Sequence, residues 1–181
     1  MRLETERLVL RPLSLDDLDA LAPFFADPDV MRYMGGKTLT RDETEASIVR
    51  MVGWFEADGF GQLAVVRKDD GELLGRCGIL IWEIDPWKPL SKAEADGETE
   101  TEIGYALGQP HWGLGYATEA ATAVRDYART VLGESRLIAL IQHSNEASRR
   151  VAEKLGMEYE RDIALRFARV RLYALGKRPA R

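Results

Sequence analysis

Two glycines next to a helix-forming segment could bind a phosphate group. The segment HWGLGYATEA, residues 111–120, places Gly113 and Gly115 where a loop turns into a helix. The start of a helix presents unpaired backbone N–H groups and the positive end of the helix dipole, so anions bind there readily. Because glycine has no side chain, the backbone could approach a diphosphate closely. The segment therefore favours a phosphate-binding loop, with a plain tight turn as the alternative.

Two nucleotide-binding motifs fit this loop poorly. A P-loop has lysine and then serine or threonine after its second glycine, whereas Tyr116 and Ala117 follow Gly115. A dinucleotide-binding loop has a third glycine, where Thr118 stands here, and an acidic residue at the end of the next strand. That strand, RLIALIQ, ends in Gln142. A nucleotide-dependent oxidoreductase is therefore a distant alternative.

Two motifs together resemble those of a known family. The first is EIGYALGQPHWGLGYATEA, residues 102–120, and the second is NEASRRVAEKLGM, residues 145–157. The pair resembles the GNAT superfamily of acyl-CoA-dependent N-acyltransferases, and most of all its branch of ribosomal-protein N-terminal acetyltransferases (RimJ/RimL-like). The resemblance covers essentially the whole chain, from TERLVLRPL to the last strand. It implies that the phosphate is the pyrophosphate of acetyl-CoA, the co-substrate.

The resemblance also implies which residues contact the coenzyme. The pyrophosphate would be surrounded by main-chain N–H groups of Trp112, Gly113, Leu114, Gly115, Tyr116, Ala117 and Thr118. The pantetheine arm would pair, like a strand, with Tyr105, Ala106 and Leu107. Asn145 matches the family's asparagine near the pantetheine and the reaction centre, and it could also cap a helix.

Acetyl transfer to an amine needs a group that removes a proton. An α-amine has a pKa of about 8 and a lysine one of about 10.4, so both are largely protonated at neutral pH. A carboxylate near the thioester can act as the general base. Glu102 matches the family's glutamate in EIGY and shares a strand face with Gly104 and Ala106. We predict Glu102 as the base, with an ordinary solvated strand glutamate as the alternative.

The departing thiolate could take a proton from the enzyme. Many GNAT enzymes have a tyrosine in the last helix for this step, but the resemblance puts Ala152 at that position. Ser148 is the nearest replacement, as an acid or as a hydrogen-bond donor to the sulfur, and Tyr159 is a weaker candidate. The thiolate could also leave unassisted. The missing tyrosine keeps a second function open, that of a non-catalytic acyl-CoA-binding module.

Composition limits the other classes of function. A chain of 181 residues with 45% hydrophobic content predicts one domain, 1–181, and the resemblance implies that this is an N-acetyltransferase domain. It has no apolar run that could span a bilayer and no signal peptide, which predicts a cytoplasmic protein that binds no membrane. A net charge of −5 argues against nucleic-acid binding. One cysteine, Cys77, and two histidines predict no metal site.

The hydrophobic pattern predicts the elements that position these residues. RLVLRPL favours a strand, and caps at Ser14 and Thr40 favour two helices after it. GQLAVVRK and ELLGRCGILIW predict a hairpin around 69–71, and ETEIGYALG another strand. A helix over 115–131, the buried strand RLIALIQ, a helix over 144–156 and a final strand RFARVRLYAL follow.

These elements predict an α+β (mixed α/β) fold. The strand–helix–strand unit over 99–142 requires its two strands to run parallel. The resemblance implies a GNAT-like fold, whose central sheet is otherwise mostly antiparallel, whose parallel pair splays apart to hold the pantetheine arm, and whose flanks are covered by helices. Exposed strands at the edges of such a sheet could pair in a homodimer.

The amine acceptor is the least defined partner. The acidic segment EADGETETE, 94–102, could attract a cationic amine, which suits a peptide N-terminus, a polyamine or an aminoglycoside equally. The resemblance implies that the first two helices shape the acceptor site, with Met31, Tyr33 and Met34 as lining and 35–36 as a hinge.

Several other residues receive simpler interpretations. Trp54, Trp82 and Trp87 could form part of an acceptor pocket, but core packing is favoured for Trp54 and Trp82, and Trp87 could form a mobile wall. Cys77 is predicted to be a small buried hydrophobe. His111 could line the phosphate loop, but polar surface is the favoured role.

Overall fold

The computed structural model describes residues 1–166 and 168–177. Within them are nine strands: β1 Leu3–Glu4, β2 Leu8–Pro12, β3 Gln62–Arg67, β4 Leu73–Ile84, β5 Trp87–Leu90, β6 Thr99–Leu107, β7 Leu137–Gln142, β8 Glu158–Ala164 and β9 Arg169–Leu175. The α-helices of the same residues are α1 Leu18–Ala26, α2 Pro28–Met31, α3 Arg41–Asp58, α4 Tyr116–Thr130 and α5 Glu146–Lys154. The predicted mixed α/β fold is confirmed.

One sheet joins all nine strands. Its order is β1-β2-β3-β4-β6-β7-β9-β8, and β5 pairs with β4 outside this path. Neighbouring strands are antiparallel except β6 and β7, which run parallel and are connected through α4. The apolar strand RLIALIQ lies inside the sheet as β7, as its continuous hydrophobic run predicts.

The parallel pair opens into a fork. β6 stays paired with β4 along its whole length, from Thr99 opposite Glu83 to Leu107 opposite Gly75. Its other edge meets β7 at a single pair, Glu102 opposite Ile138. Beyond Glu102 the two strands separate, so the backbone of β6 has an unpaired edge there. The predicted splay is therefore present, and Glu102 lies where it begins.

The two faces of the sheet carry different helices and separate cores. One core includes Cys77, Ile103 and Leu107, which pack with the apolar face of α4. On the opposite face Ala64 and Ala106 pack with α1, α2 and α3. Each fully buried aliphatic side chain contributes about 1.5–3 kcal/mol to folding. The alternation along β6 thus directs Glu102, Gly104 and Ala106 towards α1–α3, as predicted.

The helix caps agree with the sequence in most details. Thr40 and Glu43 form the predicted capping box of α3. Ser14 instead opens a short 3-10 turn before α1, and the buried residues of α1 are Leu21, Phe24 and Phe25.

Two short elements were not predicted. Helix α2 and strand β5 each contain four residues. Segments this short do not complete enough of a period for the hydrophobic pattern to reveal them. Strand β5 lies in the Pro-rich stretch that resembles a linker in the sequence.

Candidate active site

A cleft of about 830 Å³ opens at the fork between β6 and β7. It reaches from the start of α4 and the inner side of α5 to the segment that joins α1 to α3. Its charged lining consists of one acid and five cations: Glu102, Lys37, Arg50, Arg76, Arg150 and Lys154. The lining also includes all the predicted coenzyme-contacting residues except Leu114.

The loop before α4 presents backbone N–H groups to the cleft. Gly113 and Gly115 adopt left-handed backbone angles, with φ of 76° and 85°, which side chains other than glycine disfavour. The first helical hydrogen bond runs from Glu119 N–H to the Gly115 carbonyl, at 3.0 Å. Among the described residues, none accepts a hydrogen bond from the N–H groups of residues 113–118. The loop can therefore bind an anion of several oxygens.

Side chains from distant segments hold this loop in place. Arg7 donates to the Leu114 carbonyl at 3.1 Å and to the Glu119 carboxylate at 2.7 Å, and its guanidinium lies 4.4 Å from the centre of the Tyr116 ring. Trp112 donates from Nε1 to the Leu107 carbonyl at 2.6 Å. The loop is thus fixed to the ends of both β2 and β6, although Leu114 itself is 52% exposed.

The predicted pantetheine residues lie along the unpaired edge of β6. Tyr105, Ala106 and Leu107 all line the cleft. The Tyr105 hydroxyl donates to the Ser148 carbonyl at 2.9 Å, which spans the fork from β6 to α5. Burial raises the pKa of Tyr105, so its hydroxyl stays protonated. The free backbone edge can accept an extended ligand in the manner of an added strand.

The two predicted residues on α5 are joined by a capping bond. Asn145 is the N-cap, and its Oδ1 accepts from the Ser148 N–H at 3.1 Å. Both residues line the cleft. Ala152 is fully buried, and the weaker candidate Tyr159 is 55% exposed on β8, outside the cleft lining. Ser148 is thus a hydroxyl-bearing residue of α5 that lines the cleft.

Glu102 is a buried carboxylate at the opening of the fork. Only 7% of it is exposed. Its Oε2 accepts from Trp82 Nε1 at 2.6 Å, and its Oε1 accepts from the Leu140 N–H at 3.1 Å. Burial raises the pKa of Glu102, while the two hydrogen bonds and the positive charge of Arg76 act in the opposite direction. The alternative of a solvated strand glutamate therefore does not describe this residue.

Glu100, a second acid of the predicted acidic segment, serves the fold. Glu100 is buried against Arg136, with 2.9 Å between its Oε2 and the arginine Nε. Just upstream of the segment, the Glu83 carboxylate accepts from the N–H groups of Asp96 and Gly97 and pairs with Lys88. Of residues 94–102, Glu102 is the acid that lines the cleft. The segment therefore brings one carboxylate, and not a cluster of them, to the cleft where it was expected to attract a cationic amine.

The connection from α2 to α3 closes one side of the cleft. Met31, Tyr33 and Met34 line the cleft as predicted. The Tyr33 hydroxyl lies 3.5 Å from the Ser144 carbonyl, and Gln142 Nε2 lies 3.4 Å from the Arg32 carbonyl. These long contacts link the connection to the end of β7 across the opening.

Trp54 and Trp82 line the cleft, as the pocket alternative expected, and Trp82 also packs in the core. The Trp82 side chain binds Glu102. Trp87 packs on Trp82, with ring centres 6.4 Å apart, and is not among the lining residues. The signal for Trp82 is the cross-strand register, because it lies on the same face as Glu102 in the neighbouring strand.

The favoured prediction for His111 was wrong, whereas the prediction for Cys77 is confirmed. His111 is 9% exposed, lines the cleft and lies 3.4 Å from a Glu72 oxygen, so its assignment to polar surface was wrong. The 3-10 turn over 109–111 turns its ring inward. Cys77 is fully buried on the sheet face opposite Glu102, as predicted, and burial raises the pKa of its thiol to about 12.

The described residues contain no group of three or more His, Cys, Asp and Glu side chains placed to hold a metal ion. No helix among them is long and apolar enough to cross a membrane.

Comparison with known proteins identifies relatives of the chain. The family model for the acetyltransferase (GNAT) domain matches residues 7–158. The uncharacterized protein YkkB of Bacillus subtilis is 37% identical over 169 residues, which cover 90% of this chain and 88% of YkkB. An acetyltransferase from Agrobacterium tumefaciens has a solved structure that is 28% identical, with a TM-score of 0.77 over 98% of this chain and 95% of that one.

A more distant solved structure concerns the predicted branch. The ribosomal-protein-S5-alanine acetyltransferase of Vibrio fischeri superposes with a TM-score of 0.73 over 96% of this chain and 95% of its own, at 16% identity. At that identity the likeness concerns the fold alone.

Proposed function

The chain belongs to the GNAT acetyltransferase family, and we propose that it transfers the acetyl group of acetyl-CoA directly to a primary amine, with Glu102 as the general base. The observation that carries this proposal is the position of Glu102. A buried carboxylate lies where β6 and β7 separate, in the same cleft as the anion-binding loop. The coenzyme and the amine can therefore meet at one acid.

The coenzyme would be held by backbone rather than by charged side chains. Its pyrophosphate would accept hydrogen bonds from the N–H groups of residues 112–118, most of which have no acceptor among the described residues. Its pantetheine arm would lie along Tyr105, Ala106 and Leu107, next to Asn145. Arg150 and Lys154 line the cleft from α5 and add positive charge for the phosphates.

The transfer step would need one proton acceptor and no covalent enzyme intermediate. Acetyl-CoA supplies the thioester, and the amine nitrogen forms a bond to its carbonyl carbon as the carbon–sulfur bond breaks. Glu102 takes the proton that the nitrogen loses. Burial raises the pKa of this carboxyl, which makes it a stronger base than a solvated glutamate. Positioning of both substrates in the fork would supply much of the rate.

Ser148 would act on the departing sulfur. Its backbone is fixed on both sides, since its N–H donates to Asn145 and its carbonyl accepts from Tyr105. The side chain lines the cleft in the turn of α5 before the buried Ala152. Its hydroxyl could donate a hydrogen bond to the thiolate or protonate it.

The bounds of the domain, its cellular location and its oligomeric state stay predictions. A single N-acetyltransferase domain over 1–181 is supported by the continuous sheet from β1 to β9. The cytoplasmic location and the homodimer rest on the sequence alone.

Binding and transfer can be tested separately. Calorimetry with acetyl-CoA, desulfo-coenzyme A, NADH and ATP should show micromolar binding of the first two and none of the others. A panel of primary amines, assayed by release of free coenzyme A thiol, should contain at least one substrate. Binding of acetyl-CoA without transfer to any amine would favour the non-catalytic binding module. No binding of acetyl-CoA to the folded protein would reject the assignment of the loop.

A further inference from the structure

Two arginines on the acceptor side of the cleft have no acidic partner in an ion pair. Arg50 projects from α3 and Arg76 from β4, and both line the cleft. Among the described residues, neither forms a salt bridge. Most other arginines of these residues pair with a carboxylate, such as Arg7 with Glu119 and Arg11 with Asp17. Arg129, Arg150, Arg166 and Arg171 also form no salt bridge within this part of the chain, but of these only Arg150 lines the cleft, from α5.

Arg76 is held in the cleft by a hydrogen bond to an uncharged side chain, that of Gln62. It lies opposite Ala106 on the sheet face that carries Glu102, and its Nη1 donates to Gln62 Oε1. Its Nε is buried without a hydrogen-bond partner among the described residues. Burial lowers the pKa of Arg76, and the Glu102 carboxylate acts in the opposite direction. A buried donor without an acceptor costs free energy, which a ligand oxygen would recover.

Gln62 adds a second unsatisfied donor beside the first. It is 2% exposed, and its Nε2 has no partner among the described residues. This atom lies 3.5 Å from where a Cβ on Gly104 would be, and Leu80 Cδ1 lies 3.2 Å from the same point. The hydrogen bond from Arg76 joins the two unsatisfied groups. Arg76 is the member of this pair that lines the cleft, together with Gly104 and Leu80.

Arg50 brings a second positive charge to the same side. Its guanidinium lies 5.5 Å from the centre of the Trp54 ring, and its one side-chain hydrogen bond is a long contact of 3.4 Å with Ser47. Its charge contributes to lowering the pKa of Arg76, because like charges disfavour one another. An anion between the two guanidinium groups would relieve this repulsion.

We propose that the acceptor carries a carboxylate as well as its amine, and that the carboxylate binds Arg76 and Arg50 while the amine lies at Glu102. This inference rests on the proposed function and narrows its substrate class to amino acids. The backbone of Arg76 lies opposite Ala106, four residues along β6 from Glu102, and its side chain donates a hydrogen bond to Gln62 beside Gly104. Gly104 and Glu102, two apart on one strand face, are about 7 Å apart, a gap that an α-amino acid with a hydrogen bond at each end spans. Polyamines and aminoglycosides carry no anion for these groups.

The coenzyme phosphates are a less suitable ligand for this pair. Arg76 points to the sheet face that carries α1–α3, whereas α4, whose first turn forms the anion-binding loop, packs on the other face. The coenzyme also has Arg150 and Lys154 on its own side of the cleft.

The test compares matched acceptors and matched variants. The value of kcat/KM would be measured for a set of α-amino acids, for their amides and for the decarboxylated amines with the same side chains. We expect the carboxylate to raise kcat/KM at least tenfold. In Arg76→Gln the ratio of kcat/KM for each acid to that for its amide should fall to about one, and Arg76→Lys should recover part of the ratio. Arg129→Gln, on the exposed end of α4, is the control.

Three outcomes would overturn the inference, and each differs from failure of the proposed function. Amides that react as fast as the acids would reject a carboxylate site while leaving acetyl transfer intact. A parallel loss of acetyl-CoA affinity in Arg76→Gln would assign the arginine to the coenzyme. If no amine is acetylated at all, the proposed function fails. Calorimetry of N-acetyl amino acids against their amides, with coenzyme A present, then decides the carboxylate site, and equal binding of the two would reject it.

Discussion

At the scale of single residues, the site depends on one carboxylate in an unusual position. Beyond Glu102, strand β6 is no longer paired with β7. The Leu140 N–H of β7, which would otherwise join the ladder between the two strands, donates to the Glu102 side chain instead. Trp82 supplies the second hydrogen bond from the neighbouring strand. The same residue thus ends the strand pairing and faces the cleft. Its chemistry is inseparable from the local geometry of the sheet.

Replacement of Glu102 by Gln should abolish most of the turnover. The amide keeps the shape of the side chain but cannot accept a proton, so we expect kcat to fall about 10²–10⁴-fold. The dissociation constant of acetyl-CoA should change less than about twofold. Glu94→Gln, in the same acidic segment but outside the cleft lining, should behave like the parent protein. Turnover of Glu102→Gln at the parent rate would exclude Glu102 as the base.

The pH dependence of the rate should follow the same carboxyl group. Only the ionised form is a base, and burial raises the pKa of Glu102, so kcat should rise with pH through that raised value. The Trp82 hydrogen bond lowers this pKa, so Trp82→Phe should move the acidic limb of the profile to higher pH. An unchanged limb in Trp82→Phe would assign it to another group. The pH dependence of kcat measured in heavy water provides a second comparison of the parent protein with Trp82→Phe.

Most of these residue roles depend on contacts between distant segments. Glu102 could be predicted because its motif is continuous in the chain. Gln62, Arg76 and Trp82 could not, because their positions relative to Glu102 depend on the register of β3, β4 and β6. One step in register would turn every side chain of a strand to the other face. No local pattern carries that information.

At the scale of elements, the loop and the fork together define where a ligand can lie. The glycine-rich loop could be predicted from two glycines and a following helix. The paired motifs also predicted the parallel strands and their separation. Helix α2 and strand β5 were not predicted because they are short. Helix α2 forms part of the wall of the cleft, and strand β5 forms part of the edge beside it. Elements stabilised by packing rather than by their own periodicity are the ones that sequence patterns overlook.

Substitution of Gly115 by Ala should weaken both the loop and its ligand. The residue has a φ of 85°, where a Cβ costs about 1–2 kcal/mol, and the new atom would lie 3.4 Å from Arg7 Nη2. We expect a lower melting temperature and at least tenfold weaker binding of acetyl-CoA. Gly53→Ala, inside α3 with nothing within 4 Å of its added Cβ, is the matched control and should stabilise the protein slightly. Equal behaviour of the two variants would show that the loop geometry does not matter.

At the scale of the whole molecule, charge is divided between the surface and the cleft. The chain has a net charge of −5, yet five of the six charged residues that line the cleft are positive. Composition gives the negative net charge of the chain, but it does not show that the charged residues of the cleft are mostly positive. Local enrichment of one charge raises the concentration of ligands of opposite charge at the site. An anionic coenzyme and an anionic acceptor group would both benefit.

The buried ion network around Arg136 should be important for stability rather than for ligand binding. Arg136 is 6% exposed and joins Glu100 on β6 with Glu160 on β8, and it also donates to the Gly176 carbonyl. Arg136→Ala leaves a buried carboxylate unpaired, so we expect about 3 kcal/mol of destabilisation in denaturant titrations.

Acetyl-CoA affinity of folded Arg136→Ala should stay at the parent level, since the network lies outside the cleft lining. Arg149→Ala, which removes ion pairs with Glu146 and Glu153 at the surface of α5, is the comparison and should cost much less. Equal stability of the two variants would show that burial adds nothing to the network.

The fork has a consequence for the order in which substrates arrive. Because the strands separate while β6 stays paired with β4, the cleft reaches the start of α4 at one end and the helices of the opposite sheet face at the other. The coenzyme and the acceptor would then enter by separate routes, and neither would block the path of the other. Such an arrangement suits a ternary complex that forms by random addition. It gives a product two exits as well, so release of coenzyme A need not wait for release of the acetylated amine.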